Sequence, residues 1–266
     1  MLRLENIHKI FHPGGINEKV ALKGINLFVR AGDVVTIIGS NGAGKSTLLN
    51  VIAGVYRVDG GKVILDGEDI THWPEHIRAA RIGRVFQDPL QGTAASMTIE
   101  ENLALALRRG RSRRLRPGIT QAERQLFKER LALLGLGLEN RLSTRVGLLS
   151  GGQRQALAVL MATIATPKIL LLDEHTAALD PRTAATVMEL TERIIARHRL
   201  TTLMVTHNLA QALHTGNRTI MMHEGRIILD LCGPERERTT VADLLRMFEQ
   251  ASGDAFTYDR ALLSGS

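Results

Sequence analysis

Val34-Val35-Thr36-Ile37-Ile38-Gly39-Ser40-Asn41-Gly42-Ala43-Gly44-Lys45-Ser46-Thr47 decides the reading of this chain. Val34 to Ile38 is a short apolar, β-branched run of the kind that fills a buried parallel strand. Lys45 to Ala53 has helical propensity and stops at Gly54, a residue suited to a left-handed helix terminus. Between strand and helix lies the spacing Gly39-x-x-x-x-Gly44-Lys45-Ser46, that of a phosphate-binding loop. Three glycines within six residues let the backbone turn tightly and point successive N–H groups inward. The positive end of the helix dipole favours an anion at the same place. Lys45 is then expected to reach β- and γ-phosphates, and the Ser46 hydroxyl to ligate Mg²⁺. A plain glycine-rich turn is the competing reading, and the full spacing with its flanks weighs against it.

The chain has 266 residues, 44% of them hydrophobic, enough for a substantial core. No apolar run approaches the roughly 20 residues that span a bilayer. The start, Met-Leu-Arg-Leu-Glu-Asn, lacks an apolar signal segment, so a cytosolic chain is expected. Its single cysteine, Cys232, forms no internal disulfide, and no cysteine or histidine cluster suggests zinc. The net charge of +7 is local, because six arginines fall between Arg108 and Arg116. Aromatics are 3% of residues and none interleaves with that run, which argues against a base-stacking surface. No nucleic-acid partner is expected, and the run reads as a solvated loop.

Residues 2 to 30 alternate apolar and polar at Leu2–Glu5 and Ile25–Val29 around a turn-rich Pro13–Asn17, so an antiparallel β layer is expected. Phe11, in its first strand, offers a flat π face that a purine accepts without sequence preference, or packs in a core. Lys62–Leu65 leads into Asp66-Gly67, a strong hairpin dipeptide. Arg84-Val85-Phe86 is a short strand with Gln87 at its tip, ahead of the breaker Asp88-Pro89. From Thr98 to about Gly135 the period turns helical, marking a helical insert.

That insert ends in Leu149-Ser150-Gly151-Gly152-Gln153, and a helix from Gln153 to Ala165 follows, stopped by Pro167. Ser150 and Gln153 have the spacing of a capping box, which by itself explains a helix start. Two consecutive glycines begin a helix poorly unless something approaches the backbone closely, and an anion at the N–H groups would do so. Ile169–Leu172 reads as a buried parallel strand ending in Asp173 and Glu174, at the edge where nucleotide sites lie. Asp173 suits Mg²⁺ held through water and Glu174 suits proton transfer from water; the plain reading is two exposed loop acids. A helix from Arg182 to Arg197 separates them from the strand Leu203–Thr206, which ends at His207. The strands Thr219–Met222 and Arg226–Leu229 flank the turn Glu224-Gly225, and a short amphipathic helix covers Val241 to Gln250.

Taken in order, Phe11, Gly39 to Thr47, Gln87, Leu149 to Gln153, Ile169 to Glu174, Ala178-Leu179-Asp180 and His207 resemble one family, the ABC ATPases, over roughly residues 2 to 232. The resemblance implies an α/β fold: a P-loop NTPase core with a mostly parallel sheet, an antiparallel β layer and a helical subdomain. It implies one domain over 1–266, the helical subdomain at about 94–165 and a short tail at about 235–266. Position by position, it makes Phe11 the adenine-stacking aromatic and Ser40, Asn41, Gly42, Ala43, Gly44, Lys45, Ser46 and Thr47 the phosphate cradle behind Gly39. Gln87 senses Mg²⁺ and the attacking water, Asp173 directs the magnesium, Glu174 is the catalytic base and His207 contacts the γ-phosphate. Ser150, Gly151, Gly152 and Gln153 close over ATP held by a second subunit, and Asp180 couples the two sites. His175 departs from the family's usual proline, a swap expected to be mild.

The implied activity is ATP hydrolysis driving solute transport by separate permease chains, chiefly import of an amino-acid-like or other small organic solute. A lipid or lipoprotein exporter ATPase and a soluble ATPase of the iron–sulfur assembly type are the alternatives. The implied partners are a second copy or a similar ATPase, membrane permeases and a solute-binding protein, with the chain peripheral on the inner face of the membrane. Asp88 to Met97 would meet the membrane subunit, with Arg108 to Arg116 near the cytoplasmic lipid face or in a solvated loop.

Overall fold

Leu2, Leu4 and Ile7 are buried on strand β1 (Leu2–Phe11), and the break in their alternation is a β-bulge at Glu5-Asn6, with Asn6 at φ 48°. β1 pairs antiparallel with β2 (Lys19–Val29), from Leu2 opposite Val29 to Phe11 opposite Lys19. The computed structural model describes residues 1–111 and 118–252. They fall into two compact units, Met1–Arg78 with the chain from Thr201 onward, and Ala79–Leu200. In the first unit, β3 (Val34–Gly39) leads into helix α1 (Lys45–Ala53), then β4 (Gly60–Leu65), β5 (Glu68–Asp69) and the single-turn α2 (Glu75–Arg78). β4 pairs antiparallel with β1 and with β5, completing a four-stranded layer in the order β2-β1-β4-β5. Asp66 (φ 53°) and Gly67 (φ 83°) make the hairpin turn between β4 and β5, the conformation that this dipeptide favours.

The second unit opens with β6 (Ile82–Val85), which starts two residues before the apolar run suggests and ends before Phe86. Helices α3 (Ile99–Leu107), α4 (Gln121–Ala132) and α5 (Gly151–Thr163) follow, then β7 (Ile169–Asp173) and α6 (Pro181–His198). Thr98 with Glu101 and Thr120 with Glu123 form capping boxes at the starts of α3 and α4. Ile99 and Leu103, Phe127 and Leu131, and Leu157 and Leu160 turn one face of α3, α4 and α5 into a shared core that also takes Leu190 of α6. Burying one such side chain contributes roughly 1.5–3 kcal/mol. β6 and β7 are parallel, Ile82 beside Ile169 through Val85 beside Leu172.

The first unit resumes with β8 (Thr201–Val205), α7 (Leu209–His214), β9 (Arg218–His223), β10 (Arg226–Cys232), α8 (Gly233–Arg238) and α9 (Val241–Ser252). β3 lies between β8 and β9 and is parallel to both, while β10 runs antiparallel on β9. All five residues of β8 are buried, as a strand covered on both faces requires. Leu244 and Phe248 of α9 are buried against Ile38, Leu209 and Met221, so the amphipathic helix belongs to the core. Among the described residues no helix is long and apolar enough to cross a membrane.

Candidate functional site

The first unit carries the candidate phosphate loop. β3 ends at Gly39, whose φ of 147° and close packing exclude a side chain: a Cβ there would lie 2.1 Å from the Met222 carbonyl oxygen. Gly44 is similarly confined, at φ 98° with a Cβ position 2.6 Å from Ala21 O. As N-cap of α1, Gly44 makes no side-chain cap, and the first turn holds no acid, so an anion meets the helix dipole without competition. Lys45 is buried, its Nζ donating to Gly39 O at 2.8 Å and Ser40 O at 3.0 Å. The ammonium is thereby folded back over the loop, between the backbone that turns and the helix that receives it.

Two other elements of this unit reach the loop. The turn between β9 and β10 braces it from outside: Gly225 N–H donates to Ala43 O at 3.0 Å, and Lys23 N–H donates to Gly225 O at 2.8 Å. β8 brings His207 to the same sheet edge, since Thr206 N–H donates to Ile37 O at 3.2 Å, two residues before Gly39. Phe11 closes β1 with its ring edge-on to Tyr56, centroids 5.2 Å apart and planes at 85°. Lys9 Nζ stands 5.5 Å from the Phe11 centroid and is itself held 3.0 Å from Asp59. Burial is the largest single effect on the Asp59 carboxyl and acts to raise its pKa, but the Ile10 N–H and Lys9 together outweigh it and hold the group below its ordinary range.

The second unit brings Gln87, Asp173 and Glu174 to one end of its paired strands. Because Val85 lies beside Leu172, Gln87 and Glu174 each stand two residues past paired positions, with Asp173 closing β7 between them. Glu174 adopts φ 47°, a left-handed conformation that costs an L-residue energy and recurs where side chains are aimed for function. Its carbonyl accepts Ala177 N–H at 2.9 Å, starting the turn that leads to Asp180. Gln155, buried in α5, donates from Nε2 to Phe86 O at 3.2 Å and so fixes the strand tip that carries Gln87.

The Ser150 capping box is present in both directions: Gln153 N–H donates to Ser150 Oγ at 3.3 Å, and Ser150 N–H donates to Gln153 Oε1 at 3.2 Å. α5 begins at Gly151, two residues before its apolar periodicity suggests. Gly152 has a reason inside the fold, since its Cβ would lie 2.2 Å from Thr183 Cγ2 on α6. Asp180 is the N-cap of α6, accepting Thr183 N–H at 3.1 Å ahead of Pro181. The Thr183 hydroxyl and backbone bonds hold the Asp180 carboxyl below its ordinary range. His175 is buried, its Nε2 3.3 Å from Thr191 Oγ1, and burial lowers its pKa to about 4, so the imidazole is neutral.

Sequence reasoning did not single out Tyr56, Gln155, Thr183 or Gly225, each of which supports a candidate residue through packing or backbone contact. Only the Glu-Gly turn signal at Glu224-Gly225 marked one of them. Arg108 and Arg109 are half-buried rather than solvated: Arg108 pairs with Glu123 at 3.1 Å, and Arg109 donates to Met161 O. Arg113, Arg114 and Arg116 lie outside the described residues.

Residues 22–177 match a family model described as ABC transporter. The chain is 45% identical over 252 residues to the tyrosine transport ATP-binding protein of Clostridioides difficile (strain R20291), covering 94% of this chain and 100% of that one. It is 38% identical over 208 residues to the sulfate/thiosulfate import ATP-binding protein CysA of Methylococcus capsulatus, covering 78% of this chain and 57% of that one. Among solved structures it is similar to the dimeric, post-hydrolysis ATP-binding cassette MJ0796 bound to ADP and Pi. There the TM-score is 0.75 at 30% identity, over 87% of this chain and 98% of that one.

Proposed function

The chain belongs to the ABC transporter family of ATP-binding proteins, and from that premise we propose that it is the energising subunit of an importer for an amino-acid-like solute. It is an ATP hydrolase whose fold is that of an ATP-binding cassette. What supports the solute class is the match along the whole length of a relative named for tyrosine transport. Residues 1–266 act in this reading as one ATPase domain, with a helical subdomain at about 94–165 and a tail at about 235–266. Permease subunits on other chains carry the solute across the membrane, a solute-binding protein delivers it, and this chain works from the cytoplasmic face.

Two copies sandwich two ATP molecules. In each site Phe11 stacks on adenine, Ser40 to Thr47 cradle the phosphates, and Ser150 to Gln153 of the other copy cap the γ-phosphate with backbone N–H groups. Glu174 takes the proton from the attacking water, His207 steadies the γ-phosphate, and Asp180 links one site to the other. Among the described residues no group of three His, Cys, Asp or Glu side chains forms a metal cage. The donors that this reading assigns to the metal, the Ser46 hydroxyl, the Gln87 amide oxygen and the Asp173 carboxylate, are hard oxygens, the kind that suits Mg²⁺ shared with nucleotide phosphates. Bound there, Mg²⁺ would neutralise charge that develops on the phosphates.

The test is co-purification with the membrane partner, reconstitution, and uptake of tyrosine and other aromatic amino acids driven by ATP. Uptake that depends on this chain supports the reading. Export from the vesicle instead, or purification with soluble iron–sulfur assembly proteins, would replace it.

A further inference from the structure

In the unit Ala79–Leu200, helices α4, α5 and α6 leave a cavity of about 300 Å³ between them. Its floor includes Leu134, Leu160 and Leu190, all buried. Its rim carries Arg130, Arg197 and His198, and none of its lining residues is acidic. Arg193 also borders it, already engaged with Glu189 at 3.8 Å. Neither Arg130 nor Arg197 makes an ion pair among the described residues. Burial first, then the positive charges of Arg130 and Arg197, which line the same cavity, push the His198 imidazole below its ordinary pKa. The Thr163 hydroxyl at the wall has its one hydrogen committed to Val159 O and Leu160 O, so it donates nothing inward.

An apolar floor under a positive rim selects a ligand with an apolar body and an anionic head. The volume is at the low end for small-molecule pockets, and too small for a docking helix, which is about 10–12 Å across with its side chains. We propose that this cleft binds a small amphiphilic carboxylate, its aliphatic or aryl tail of about six to ten carbons on the leucine floor and its head between Arg130 and Arg197. The site shares no residue with the nucleotide machinery.

Isothermal titration of the full chain with octanoate and 4-phenylbutyrate tests this, with octan-1-ol and octylamine as controls. Octanoate should bind saturably, about tenfold or more tighter than octanol, because a charge-assisted pair to arginine adds roughly that factor. The double substitution Arg130→Gln/Arg197→Gln should lower octanoate affinity about tenfold while leaving octanol unchanged. Ile194→Trp, which fills the cavity from its wall, should lose both ligands, with thermal unfolding confirming that each variant is folded. No saturable octanoate binding below its micellar concentration, equal affinity for octanoate and octanol, or indifference to the double arginine substitution overturns the proposal. Binding of an acidic helical peptide without octanoate binding also overturns it, and makes the cleft a protein-docking surface.

Discussion

Gly152 and Thr183 touch so closely that a Cβ on the glycine would lie 2.2 Å from Thr183 Cγ2, which locks the first turn of α5 against the first turn of α6. Both turns carry candidate residues, Ser150 to Gln153 on one and Asp180 on the other. Gly152→Ala should overpack this contact and destabilise the protein by about 1–3 kcal/mol. Thr183 cannot swing its methyl away freely, because its β-branched side chain is stiff and its hydroxyl bonds Asp180. Thr183→Ser removes the methyl and keeps the hydroxyl, so it should restore most of the loss in the double variant. Urea unfolding of the four proteins gives the coupling; additive losses would mean that the glycine is needed for something other than this contact.

Glu174→Gln should leave ATP binding near normal and reduce turnover by a factor of about 10² to 10⁴, the usual worth of a general base. The amide is similar in shape and cannot take a proton from water. The ATP-bound dimer should then accumulate. Size-exclusion chromatography with ATP checks this, and a monomer, or undiminished hydrolysis, would remove Glu174 from the role of base.

Burial lowers the pKa of His175 to about 4 from the ordinary 6.5, so the folded protein keeps this imidazole neutral where the unfolded chain protonates it. Between pH 6.5 and about 4 the unfolded state therefore holds more protons, and stability falls as pH falls through that window. Above pH 6.5 the term is constant. Its full size is about 3 kcal/mol, taken from the shift. His175→Leu should flatten the fall measured by urea unfolding at pH 4.5, 5.5 and 7; an unchanged slope would assign it to other groups.

Much of this fold is visible in the order of residue types. The phosphate loop, the strand ends at Gln87, Glu174 and His207, and the capping box at Ser150 each follow from local spacing, and local spacing fixes local backbone. What stays hidden is set by partners distant in the chain. Two glycines at Gly151 and Gly152 suggest an anion approaching the backbone, whereas the methyl that requires Gly152 belongs to Thr183. Gly225 braces the phosphate loop through backbone bonds that leave no composition signal. His175 is a mild swap in a loop by sequence, and in the fold it is a buried base bonded to Thr191.

The in-trans role proposed for Ser150 to Gln153 is open to a mixed-dimer experiment. Ser150→Arg should block the γ-phosphate site of the other subunit and leave its own phosphate loop able to bind nucleotide. Lys45→Ala should disable its own loop alone. A dimer of one subunit of each kind then places both defects in one site and leaves the second site whole. One trapped nucleotide per mixed dimer, against none in either homodimer, is the expected count; none in the mixed dimer would mean that the segment acts within its own chain.

Arginines close the C-terminal ends of three helices here. Arg78 donates to Val51 O at 2.8 Å and Ile52 O at 2.9 Å in the last turn of α1, and Arg236 donates to Ala212 O and Thr215 O at the end of α7. Arg109 reaches Met161 O in the last turn of α5. α1 and α5 have no basic residue of their own in that turn, so a cation from elsewhere meets both the last-turn carbonyls and the negative end of the dipole. Burial lowers the pKa of Arg109, and a guanidinium keeps its charge within a protein. Arg109→Ala should therefore cost about 1–3 kcal/mol, since it strands a carbonyl that the guanidinium satisfies. Arg111, exposed two residues later, should be silent within about 0.5 kcal/mol when changed to alanine. Replacing the whole run from Arg108 to Arg116 would confound this support with any attraction to anionic lipid. A lipid-binding comparison should thus keep Arg108 and Arg109 and neutralise only Arg111, Arg113, Arg114 and Arg116. Equal unfolding midpoints for Arg109→Ala and Arg111→Ala would show that Arg109 supports α5 no more than a solvated side chain does.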